Sequence, residues 1–434
     1  LRNTVVGSKA MYLNTDGSSN VAMGFNALYS NSLGSTNNAF GANALYSNQG
    51  GSGNTAIGTA ALSDNTFGFR NTAIGGSALT SNITGDENVA TGHLALRSNT
   101  TGNSNVAIGH RALYSNITNS NLVAVGDSAL YNNTAAGNTA IGSKSLYENT
   151  TGLSNTATGY RSLYNNSTGD NNSAYGHSAL GNTTIGNFNT ATGSAVLFFN
   201  AGGNENTAMG AGALFNNTSG DNNTGFGRFA LAGNGTGSGN TAIGAGADVS
   251  AVNLNNATVI GNGATVNASN KVRIGNSSVT VIEGQVAYSF PSDARFKYNV
   301  QDNVPGLDFI KRLTPVTYYF DEQKLNEYNR TGIISNSPVK QVSFDANKQV
   351  HTGFLAQDVE KIAKELGYSF DGVHVPANDR DHYSLAYSQF IMPLVKSVQE
   401  QQQTIEELNK KIGLQAEQIK MMNEKLEALT KKIK

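Results

Sequence analysis

The chain has 434 residues and a formal net charge of −1, with 14% charged residues, 49 glycines and neither cysteine nor tryptophan. Near neutrality argues against a nucleic-acid or anionic-membrane binder that works through bulk charge, and the absence of cysteine excludes a disulfide scaffold, a thiolate zinc site and a cysteine nucleophile. The averages hide a partition: residues 1–275 hold 42 of the glycines but only 20 charges, and all six prolines lie at or beyond Pro291.

No apolar stretch is long enough to span a bilayer, and Leu1-Arg2-Asn3 is not the charged head of a signal peptide. A start at Leu1 in place of Met reads as a fragment or a processed chain, which leaves room for an export signal removed earlier.

The first 275 residues are an internal repeat. The unit Asn-Thr-Ala-Ile-Gly closes on a glycine at 7, 24, 41, 58 and so on to 261, every 17 residues except for one step of 16 between Gly126 and Gly142; a last step of 14 reaches Gly275. Two before the glycine stands alanine (Ala22, Ala39, Ala56), one before it Val, Ile, Met or Phe, and four after it Leu (Leu28, Leu45, Leu62). These three columns are expected to form the internal stack. An Asn column seven after the glycine and a second glycine ten after it are expected to supply left-handed backbone at the corners.

Apolar runs this short, punctuated by Asn and Gly, predict strands joined by turns. A unit of this size cannot bury its own apolar residues, but copies stacked about 4.8 Å apart make a continuous core and a rod on the order of 75 Å long. Two arrangements fit: each unit is one coil of a single chain, or three chains wind around one another. The columns resemble the head repeats of trimeric autotransporter adhesins, which form a β-roll in trimers; the unit is longer here, so their corner geometry does not carry over.

Chemistry within the array is thin. Asp86, Asp170 and Asp221 share a column but lie several coils apart, whereas a glycosidase needs two carboxylates within about 5–10 Å. His93 and His110 follow the motif glycine in successive units, and His177 does so further on; a metal ladder and a polar surface column both fit, and the second is the expected reading. Tyr29, Tyr46, Tyr114, Tyr131, Tyr147 and Tyr164, with Phe198 and Phe215, form an aromatic column, read as a structural ladder ahead of a sugar platform. No metal and no cofactor is expected.

Beyond Gly275, the alternation Val279–Val286 reads as a neck strand. Ser292-Asp293-Ala294-Arg295-Phe296-Lys297 follows. A serine hydroxyl needs a base, which a lysine supplies if burial lowers its pKa. Alone, a serine five residues before a lysine is a common accident. The context is more specific: Ser292 to Val300 resembles the Ser-Asp-x-Arg-Leu-Lys-x-Asn-Ile start of the intramolecular chaperone domain that ends phage endosialidases and tail spikes and occurs in myelin regulatory factor. Leu313–Tyr319, Gly353–Glu360 and Tyr383–Ile391 resemble further blocks of that domain in the same order.

The residues agree with a small α+β domain. Val342-Ser343-Phe344 and Gln349-Val350-His351 flank Asp345–Lys348, a hairpin signal. Val359, Ile362, Ala363 and Leu366 have helical spacing, with Gly367 at the C-cap. From Val398 to Ile433 apolar positions alternate three and four apart, with Gln401 and Gln415 in two core slots, a coiled coil of about five heptads.

The expectation is thus a mostly β chain: a trimeric β-solenoid or β-roll of 17-residue repeats (1–275), a neck (276–291), an α+β intramolecular chaperone domain (292–392) and a trimeric coiled coil (393–434). The trimer comes from the resemblance. So does the chemistry: Ser292 attacks the carbonyl of Pro291, Lys297 takes the hydroxyl proton, and the module releases itself as a serine endopeptidase acting once in cis, with no turnover activity. The rod is then an extracellular fibre, tail fibre or adhesin on a cell surface, virion or injection device. Its candidate partner is a surface glycan or receptor, with no nucleic acid and no membrane span. The alternative is a non-cleaving trimerisation module on a fragment of a glycan-degrading tail spike. A membrane-released regulator is disfavoured, because neither a DNA-binding module nor a transmembrane helix is visible.

Overall fold

The computed structural model describes residues 2–286, 288–321, 324, 325, 328, 350–379 and 381–433. It divides into two compact units, Leu1–Thr280 and Val281–Lys434.

The first unit is a β-solenoid. Three-residue strands, from Thr4–Val6 to Val272–Ile274, stack into one parallel sheet of 17 strands. Each strand pairs with the strand one repeat further on: Ala22 lies opposite Ala39 and Ala39 opposite Ala56. Each unit is therefore one complete coil of a single chain, which decides between the two arrangements open from sequence. The short unit keeps this register, pairing Val123 with Thr139, and so does the last, pairing Thr258 with Val272.

Side chains alternate across the pleat. The central alanine of the strand points inward and is fully buried, beside the fully buried Ala-Leu pair of the same coil, such as Ala61 and Leu62. The residue one before the glycine must then point outward, and it does: Ile57 is 41% and Ile74 38% exposed. That column was expected in the internal stack and is corrected to a surface column.

The corners also differ from expectation. Left-handed backbone falls on the motif glycine (Gly58, φ +133°), two residues later (Ala60, φ +55°), on the buried leucine itself (Leu62, φ +55°) and twelve residues after the glycine (Arg70, φ +54°). It does not fall on the Asn column or the second glycine. That second glycine is required by space instead, since a Cβ on Gly51 would collide with the carbonyl of Gly68 and the side chain of Asn48.

Two columns of asparagine are fully buried and bind coil to coil. Asn48 Nδ2 donates to Asn31 Oδ1 at 2.7 Å and to the Gly51 carbonyl at 2.9 Å. In the motif column, Asn37 Oδ1 accepts the Asn54 N–H at 2.9 Å while Asn37 Nδ2 donates to the same Gly51 carbonyl. A buried amide left unbonded is costly, so this pairing is what makes a polar interior tolerable. In the 16-residue unit the Ala135 carbonyl replaces the glycine carbonyl as acceptor for Asn133, Asn116 Oδ1 is left without a partner among the described residues, and the ladder resumes where Asn149 Nδ2 donates to Asn133 Oδ1.

The second unit gathers around Phe309, Val359, Ala363, Phe370 and Phe390. Helix α1 (Leu307–Arg312) lies against helix α3 (Ile391–Ile433), whose Glu400 carboxylate accepts the Leu307 N–H at 2.6 Å. Helix α2 (Ala356–Glu365) ends at Gly367 with φ +63°. The N–H groups of Gly367 and Tyr368 reach back to the carbonyls of Lys364 and Ala363, the C-terminal cap read from sequence. Strand Val316–Tyr318 pairs antiparallel with His351–Gly353. Most of the hairpin expected around Asp345–Lys348 lies outside the described residues. Along α3 the heptad positions stand open, from Ile405 and Leu408 to Leu426 and Leu429, each at least half exposed.

Candidate self-cleavage site

The segment between Pro291 and Val300 takes its shape from one short 3-10 turn, Ala294–Phe296. Asp293 starts it: its carboxylate accepts the Arg295 N–H at 2.9 Å and pairs with the Arg295 guanidinium at 2.6 Å. That pairing holds the Asp293 carboxyl below its ordinary range and raises the guanidinium. The turn closes with the Lys297 N–H on the Ala294 carbonyl at 3.1 Å. It thereby folds residue 297 back over residue 292, and Lys297 Nζ donates to Ser292 Oγ at 2.7 Å.

Ser292 and Lys297 are thus brought together, and Pro291 carries the carbonyl next to the hydroxyl. The tertiary amide of the proline joins Phe290 to Pro291, so the bond from Pro291 to Ser292 is an ordinary secondary amide.

Both members of the pair are exposed in the single chain. A lysine accepts a proton only when neutral, a form favoured by burial. The surroundings are apolar and uncovered: Tyr288, Phe290, Phe296, Tyr298 and Val300 are each more than 70% exposed. Sequence reasoning missed this flank, although the apolar residues at 288, 290, 296, 298 and 300 alternate along the chain and could have signalled it.

The array candidates resolve differently. Asp86 Oδ1 accepts the Phe69 N–H, Asp170 Oδ1 the Leu153 N–H and Asp221 Oδ1 the Asn204 N–H, all at 2.6–2.7 Å. Asn103, Asn187 and Ser238 do the same for the following coils, so the column is a corner brace. His93 and His110 stack at 5.6 Å and His110 pairs with Asp127 at 3.0 Å. His177 stacks on Tyr160. Among the described residues no group of three or more His, Asp or Glu could hold a metal ion. Tyr114, Tyr131, Tyr147 and Tyr164 stack at 5.1–5.3 Å, turning their faces to one another. Burial, with Tyr131 and Glu148 nearby, raises the Tyr147 phenol.

Residues 292–368 match the family model described as chaperone of endosialidase. Over these residues, which begin at Ser292, the C-terminal unit is similar to that chaperone family. A search of curated proteins finds no match to the chain. No helix among the described residues is long and apolar enough to cross a membrane.

Proposed function

We propose that the chain is an extracellular fibre or tail-spike type rod, made as a trimer on a C-terminal intramolecular chaperone that then cuts itself away at Pro291-Ser292. The observation that carries this reading is the coincidence of two boundaries. The chaperone match begins at the serine whose Oγ lies 2.7 Å from Lys297 Nζ.

A physical need supports the chaperone role. Pairing within the chain is local, between residues one repeat apart, so the coils of one chain find their own register. Starting the stack is harder. The first coil to form must hold left-handed residues, such as Leu231, φ +52°, toward the C-terminal end of the rod, before it has gained a second neighbour, and each such residue costs about 1–2 kcal/mol. Once one coil stands, every later coil repeats its pattern and gains its hydrogen bonds. A non-repeating unit that joins three copies would fix where that start occurs and set all three copies at the same height.

The cleavage step balances within the segment. Ser292 Oγ attacks the Pro291 carbonyl carbon while Lys297 Nζ takes the hydroxyl proton. The bond to the Ser292 nitrogen breaks, and the lysine returns the proton to that nitrogen. Water then hydrolyses the ester, leaving a Pro291 carboxylate and a chain that begins at Ser292. Because the pair is exposed in one copy, burial of the apolar flank on assembly is the condition that turns the lysine into a base. Release of the chaperone makes unfolding effectively irreversible.

Denaturing gels of the expressed chain beside Ser292→Ala and Lys297→Ala test the cleavage. The expected result is a product ending at residue 291 for the unaltered chain alone. An uncut chain would leave the second reading, a trimerisation module that stays attached.

A further inference from the structure

We infer that the outer face of the solenoid's parallel sheet is the surface on which copies of this chain pack against one another. This rests on the trimer proposed above and names where along the rod its copies meet.

The face is built from the first and third residues of each strand. From Thr4 and Val6 to Val272 and Ile274 these positions are Thr, Val, Ile, Met, Phe, Tyr, Ser or Asn, and none is charged. The charges of residues 1–275 all lie elsewhere in the coil or, for Arg273, at the centre of the last strand. Most third positions are open, as at Met23 (41%), Ile108 (41%) and Ile243 (46%), while Phe40, Thr91, Val125, Thr158 and Thr192 are half-buried. Parallel sheets are normally covered on both faces. Here the alanine and leucine core covers one, and the other is uncharged, with Thr at most first positions and Val, Ile, Met, Phe or Tyr at most third positions, and nothing among the described residues covers it.

Three arguments select the occupant. The outward side chains recur once per coil, so the surface that matches them along the whole rod must repeat at the same spacing, and a second copy of this chain does. Its extent, about 80 Å by 10 Å or on the order of 800 Å², shared between two neighbours, is of the same order as the roughly 800 Å² per partner of a specific interface. The open heptad seam of α3 in the same chain also calls for further copies.

The lack of native cysteine gives a clean test. Full chains with Thr72→Cys or Ile74→Cys on the face, and Thr101→Cys on an exposed corner, are oxidised mildly at low concentration, and their masses are measured by light scattering. The expected result is a trimeric mass with disulfide-linked pairs from position 72 or 74 and none from 101. A trimeric mass without links from 72 and 74, or with equal linking from 101, overturns the interface and leaves the trimer standing. A monomeric mass overturns both.

Discussion

Thr183 stands where the buried amide ladder calls for asparagine, one coil beyond Asn166, and both Asn166 Oδ1 and Thr183 Oγ1 lack a hydrogen-bond partner among the described residues. Everywhere around this point the ladder is closed, as where Asn217 Nδ2 donates to Asn200 Oδ1 at 2.7 Å. Thr183→Asn supplies a donor for Asn166 and an acceptor for Asn200. The expected outcome is a stabilisation of about 1–3 kcal/mol, read as a higher denaturant midpoint for the rod.

Neighbouring glycines Gly202 and Gly203 should respond in opposite ways to alanine. A Cβ on Gly203 would meet the Gly220 carbonyl and the Asn200 side chain, whereas one on Gly202 would only touch Ile185 at 3.5 Å. Gly203→Ala is expected to cost about 1–3 kcal/mol through overpacking. Gly202→Ala should leave the midpoint within about 0.5 kcal/mol of the original or raise it slightly. Unfolding curves of the two variants side by side check this.

Asp248 sets a pH dependence at the last coils of the rod. Burial pushes its carboxyl up to about 6, against the lowering effect of hydrogen bonds from the Val249 and Gly233 N–H groups. The folded state thus holds this proton more tightly than the unfolded chain does. Its stabilising contribution is complete below the unfolded value of 3.8 and is lost as pH rises through about 6. The difference is on the order of 3 kcal/mol. Asp248→Asn, which keeps the shape without the charge, should therefore raise the rod's thermal midpoint at pH 7.5 and change it little at pH 4.

Legibility in the sequence followed the kind of physics involved. The solenoid, the alanine and leucine columns and the Gly367 cap could be read because periodicity and turn chemistry act locally. Ser292 and Lys297 were singled out through the resemblance of Ser292 to Val300 to the start of the chaperone domain, because a serine five residues before a lysine signals nothing by itself. The outward direction of Ile57 and Ile74 was misread, although alternation from the buried alanine dictates it; hydrophobicity alone suggested the core. The left-handed leucines and the corner brace of Asp86, Asp170 and Asp221 were hidden, because each depends on what the adjacent coil places nearby.

The central claim is that the C-terminal unit is needed to start and align three rods. The direct measurement is the mass and heat resistance of residues 1–291 expressed alone, beside the same segment made from the full chain. The account predicts that the segment expressed alone gives monomers or heterogeneous aggregates, while the full chain yields a uniform trimer that survives heating. If residues 1–291 alone assembled into that same heat-resistant trimer, the chaperone role would be contradicted.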